Sequence, residues 1–93
     1  MATLKEAIQV LSLAAQADSP EFESAQYVEV RRNAHEIILG GNREGLVWLA
    51  LHCLRLSEQQ HGSHIHLDEH SGTDISDIPL VLRHWTREIP NQS

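Results

Sequence analysis

Cysteine and positive charge are both scarce in this sequence, and each shortage excludes something. Cys53 is the only cysteine among 93 residues. It rules out an internal disulfide and any metal site built on several thiolates. Its place in an apolar helical pattern predicts a buried, inert thiol. Seven Lys and Arg stand against thirteen Asp and Glu, giving a formal charge of −6. Such a balance disfavours a phosphate-binding surface, so no nucleic-acid partner is expected, and it suits a basic protein partner better. No apolar run approaches the roughly 18 residues of a spanning helix. The opening Met1-Ala2-Thr3-Leu4-Lys5-Glu6 lacks the basic region, apolar run and cleavage site of a secretion signal. The cytoplasm is the expected location, with no membrane contact. Also missing are a Gly-Lys-Ser/Thr phosphate loop, a dinucleotide fingerprint, an internal repeat and any linker tract; Gly40-Gly41 alone is too short a signal.

What remains is an ordinary globular composition, 41% hydrophobic and 22% charged, which argues against global disorder. The length predicts a single domain over residues 1–93. Thr3 and Glu6 fit a capping box. Leu4, Ala7, Ile8, Leu11, Ala14 and Ala15 then recur at helical spacing, predicting a helix to about Ala17, ended by Asp18-Ser19-Pro20. The same Ser19-Pro20-Glu21 could cap another short turn containing Phe22, which leaves residues 19–25 ambiguous. Alternation over 25–31 predicts a strand with Val28 and Val30 inward. Arg32-Asn33-Ala34 reads as a hairpin connection in which Asn33 can take the left-handed conformation. His35 to Leu39 follows as a second strand, closed by Gly40-Gly41.

Asn42 offers an N-cap for a long helix fraying at residues 58–60. Leu46, Leu49, Ala50, Cys53 and Leu56 form its predicted core stripe, widened by Val47, Leu51 and Leu54. Ser63 to Asp68 alternates as a strand, Ile65 and Leu67 inward, His64, His66 and Asp68 outward. Residues 70–74 read as loop and 74–79 as a connection with apolar anchors. Leu80 to Trp85 reads as the last strand, with a polar tail after it. The order helix, strand, strand, helix, strand, strand predicts an α+β fold. Its expected form is a two-layer sandwich, with a mainly antiparallel four-stranded sheet and two helices on one face.

That architecture leaves an open sheet face carrying Tyr27, Glu29, Glu36, His64, His66, Arg83 and Trp85. Solvated polar surface is the plain explanation; recognition of a partner is the functional one. Trp48 has two readings of its own, a residue along the core edge or a partner anchor, since Trp and Arg are enriched at interface hot spots. Two imidazoles two residues apart on a strand project together as a chelating pair must. His64-X-His66 therefore carries an alternative reading as a small metal-binding protein or enzyme, completed by His61, Asp68 or His70. Cys53 and His52, adjacent on a helix, do not face each other, and no catalytic set is found. No cofactor is expected.

Ile38-Leu39-Gly40-Gly41-Asn42-Arg43-Glu44-Gly45-Leu46, then Leu49-Ala50, then His64-Ile65-His66-Leu67-Asp68, resembles an immunity protein of bacterial polymorphic toxin systems. More narrowly, the pattern is similar to immunity family thirty-two, over roughly residues 27–85. After Asp68 it departs, with Ser76-Asp77-Ile78-Pro79 in place of a Gly-Ser lead-in to the last strand. The resemblance implies a non-enzymatic bacterial protein that binds a cognate toxin domain and blocks its active site. Expected contacts are Glu29, Glu36, His64, His66, Asp68, Glu69 and Arg83, with Tyr27, Trp48 or Trp85 as aromatic anchors. The third option is an adaptor that forms a homodimer through the open sheet face.

Overall fold

A computed structural model describes residues 3–68 and 73–85 of the chain. Helix α1 (Leu4–Ala14) starts at the predicted capping box, with Thr3 and Glu6 each satisfying a free N–H of the other's region. It stops three residues earlier than expected. Gln16 takes the left-handed conformation (φ 56°), and the N–H groups of Gln16 and Ala17 donate back to Leu13 and Ser12. This paired closure satisfies carbonyls that the helix end would otherwise strand. Ser19 then caps α2 (Pro20–Ala25), its Oγ accepting from Phe22 N–H, and Phe22 is buried. The short capped turn is thus the reading that holds.

Strands β1 (Val28–Arg32) and β2 (Ile37–Gly41) form the expected antiparallel hairpin, Val30 opposite Leu39. Asn33 closes it by another route than the left-handed backbone. Its side-chain oxygen accepts from the N–H groups of His35 and Glu36, so the side chain makes the turn. Helix α3 (Arg43–Ser57) follows, capped by Asn42. The hairpin β3 (His64–Leu67) with β5 (Leu80–Arg83) encloses a two-residue strand, β4 (Ile75–Ser76).

The α+β class stands, but the single four-stranded sheet does not. Among the described residues two sheets replace it, one of order β2-β1-β4 and one pairing β3 with β5. The cause is the connection after β3. Asp74 and Asp77 both carry their backbone N–H to β1, donating to Val28 and Val30 carbonyls at 2.8 Å. Their carboxylates accept from the N–H groups of Val28 and Arg32 at 2.9 and 3.0 Å. This parallel clip occupies the edge of β1 that β3 or β5 would have needed.

Both sheets and α3 share one core: Val28, Val30, Leu49 and Leu67, with Trp48, Ile78, Leu80 and Leu82 packed against it. Val28, Val30 and Leu67 are fully buried, contributing about 1.5–3 kcal/mol each. On α3 the buried face differs from the predicted stripe. Gly45, Leu49, Leu51 and Leu56 are buried, while Leu46, Ala50 and Cys53 are exposed. The helix is rolled so that Gly45 meets β1, which turns Trp48 and His52 inward and Leu46 and Cys53 outward. Cys53 is therefore not a buried thiol.

His52 acquires a testable role from this roll. Its Nδ1–H donates to the Trp48 carbonyl at 3.0 Å, and its ring lies 4.0 Å from the Trp48 indole, centre to centre. Burial lowers its pKa, outweighing the carbonyl contact that raises it; Arg55 lowers it further. The unfolded chain therefore takes up this proton before the folded one does. Stability from His52 is complete above about pH 6.5 and is lost as pH falls through the lowered folded value. Thermal melts should show a falling midpoint on acidification across that window, flattened in His52→Gln. An unchanged slope in the variant would remove the assignment.

Candidate functional site on the outward strand faces

Outward from the shared core, Tyr27 just before β1 and Glu29 and Arg31 on it form one polar row. The Tyr27 hydroxyl donates to Glu29 Oε1 at 2.7 Å, and Arg31 Nε lies 3.4 Å from the same oxygen. The bond to Glu29 raises the tyrosine pKa, with desolvation adding to it, and the Glu29 charge raises that of Arg31. Gly40 pairs with Glu29 across the hairpin, leaving the carboxylate uncovered on that side. The row is fixed before any partner arrives.

On the other sheet, alternation places His64 opposite Arg83 and His66 opposite Val81, all exposed. The two imidazoles of His64 and His66 meet edge to face at 5.0 Å, and His64 Nδ1–H donates to the Gly62 carbonyl at 3.2 Å. Arg83 lies 5.7 Å from the Trp85 ring centre, and His61 meets that ring edge-on at 5.1 Å. Arg83 and Trp85 also border a groove of about 340 Å³ with Cys53, Leu56, Ser57 and Leu82. An exposed tryptophan in contact with a guanidinium and an imidazole combines apolar area with hydrogen-bonding capacity at its margins.

His84, pointing inward at the end of β5, anchors this surface. Its Nδ1–H donates to the Leu56 carbonyl at 2.9 Å, tying the strand to the end of α3. Its backbone exchanges bonds with Gly62 and Ser63 at 2.8 Å each.

The expected residues thus fall into separate groups. His64, His66 and Arg83 share the β3–β5 face, with Trp85 just past the end of β5, whereas Glu29 stands on β1 and Tyr27 just before it. Glu36 lies in the β1–β2 turn, held by Asn33 at 3.3 Å. Asp68 is half-buried, and its carbonyl accepts from Thr73 Oγ1. Trp48 packs at the core edge beside His52. Glu69 and His70 lie outside the described residues. Among the described residues no three His, Cys, Asp or Glu side chains gather closely enough to hold a metal ion. Arg31 and His61 complete the two groups. The alternation that selected Glu29 already selected Arg31, and His61 needed the fold to bring the loop beside Trp85.

The resembling motif Gly40 to Leu46 turns out to be a clamp beneath this surface. Gly41 and Gly45 both close on the Tyr27 carbonyl; an added Cβ would lie 2.4 Å and 1.8 Å from that oxygen. Asn42 sits between them. Its N–H donates to the same carbonyl at 3.2 Å. Its Oδ1 accepts from the N–H groups of Tyr27 (3.0 Å) and Gly45 (2.8 Å), and its Nδ2 donates to the Ala25 carbonyl.

The residues gathered here lie on open strand faces of an α+β chain. The family model described as Immunity protein 32 matches residues 36–84, more than half of the chain. The chain belongs to that immunity protein family. No curated protein and no solved structure matches it. No helix among the described residues is long and apolar enough to cross a membrane.

Proposed function

We propose that this protein binds a cognate secreted toxin domain and neutralises it by covering the toxin's active site, with no chemistry of its own. The family match over residues 36–84 carries the reading, and it spans both the clamp and the His64, His66, Arg83 surface. The −6 charge favours a basic toxin, since complementary fields speed and orient encounter. His64, His66, Arg83 and Trp85 form the principal contact, with the Tyr27–Glu29 row as a second. Glu36, Asp68, Glu69 and Trp48 are peripheral or supporting contacts in this proposal.

Co-expression with a candidate toxin domain from a neighbouring gene tests the reading directly. Protection of the cells and a complex on size exclusion are expected; absence of both rejects it. Trp85 is 49% exposed, so Trp85→Ala should leave the melting midpoint near wild type while weakening the complex by about tenfold or more. An unweakened complex would move the contact off the β3–β5 face.

A further inference from the structure

Among the described residues strand β2 ends its sheet, and one of its sides has no strand partner there. The pairing with β1 determines which backbone groups face that side. Asn33 N–H donates to Glu36, and Asn42 N–H donates to Tyr27. Residues 36, 38, 40 and 42 therefore turn their backbone groups toward β1. Those of Ile37, Leu39 and Gly41 point to the open edge. Edge strands are commonly protected by charge, proline or a bulge. Here the strand reads Ile-Ile-Leu-Gly-Gly, and Ile37, Ile38 and Leu39 are 51%, 44% and 38% exposed.

We infer that two copies of this chain pair through β2, edge to edge and antiparallel, about a twofold axis at Leu39. The strand's own sequence is what selects a second copy as the occupant. In that register Ile37 lies opposite Gly41 and Ile38 opposite Gly40, so each isoleucine meets a glycine and the two leucines meet at the axis. Residues 37, 39 and 41, whose N–H and C=O groups point outward, pair only with one another. A slip of one residue would oppose outward groups with inward ones and lose the ladder.

Charge continues the match at both ends of the strand. The register carries Glu36 opposite Asn42, within side-chain reach of Arg43 on the other copy, and the twofold axis repeats the contact. Arg43 is well exposed, with 71% of its side chain accessible, and its internal partner is the adjacent Glu44 at 3.3 Å. Two three-stranded sheets would join as one of six strands. The interface is an edge, distinct from the β3–β5 face assigned as the principal toxin contact, and Glu36 is the residue it shares with the toxin's peripheral contacts.

Sedimentation equilibrium of the full chain alone, across a concentration series, tests this. A monomer–dimer equilibrium is expected. Ile38 is on the outer face of β2, away from the core, so Ile38→Lys should raise the dimer dissociation constant about tenfold with an unchanged melt at low concentration. Glu36→Arg and Arg43→Glu should each weaken the dimer, and the double variant should recover it. A monomer at every concentration up to about 1 mM overturns the inference, as does a dimer indifferent to Ile38→Lys or to the charge exchange. A monomeric wild type whose toxin complex is lost on Ile38→Lys would assign β2 to the toxin and equally overturn it.

Discussion

Gly45→Ala is expected to lower the unfolding free energy by about 2–3 kcal/mol, although the same change in an unobstructed helix raises stability by about 1 kcal/mol. The sign reverses because the new Cβ would lie 1.8 Å from the Tyr27 carbonyl oxygen and 2.7 Å from its carbon. Those are backbone atoms, and no flexible side chain can swing aside to make room. Either α3 withdraws from β1, opening the contact at Leu49, or β1 shifts and disturbs Val28 and Val30. Gly40→Ala is the control, since its Cβ would rest 3.8 Å from Glu29 Cγ, an ordinary contact. Urea denaturation of both variants measures the difference. A neutral or stabilised Gly45→Ala would mean that the helix does not approach the strand this closely.

Asn42→Ala should cost about 2–3 kcal/mol. The N-cap bond to Gly45 contributes about 1 kcal/mol. The bonds to Tyr27 N–H and the Ala25 carbonyl add about 1 kcal/mol each. Asn42→Asp keeps the accepting oxygen and loses the donor to Ala25, so it should fall between wild type and alanine. A loss below about 0.5 kcal/mol in the alanine variant would show that water replaces these bonds freely. The double variant Asn42→Ala/Gly45→Ala should lose less than the sum of the two single losses, because both act on one junction.

Local signals in the sequence determined the elements, and long-range ones determined their assembly. The Thr3–Glu6 box, the Asn42 cap and the alternation around Val28–Val30 and Ile65–Leu67 each describe a few neighbouring residues, and all appear in the structure. The roll of α3 was not legible from periodicity, because a wide apolar arc fits several rotations and a contact 18 residues away, between Gly45 and Tyr27, selects one. Cys53 followed that roll into solvent. Asp74 and Asp77 read as loop residues, and only their bonds to β1 make them the reason for two sheets. On the outward faces, alternation grouped His64, His66 and Arg83 correctly. It could not separate them from Tyr27 and Glu29, since strand order decides which faces adjoin.

The middle position of β1 also has a consequence for where the molecule can be cut. The family match begins at residue 36, after β1 has ended, yet both edges of that strand are occupied by matched residues. β2 lines one edge, and the Asp74–Asp77 clip lines the other. Val28 and Val30 are two of the four buried residues of the core. Recombinant fragments should therefore be bounded by hydrogen bonding rather than by similarity, starting upstream of Ala25, whose carbonyl Asn42 holds. A piece trimmed to the match would keep both glycines of the clamp and lose the carbonyl between them.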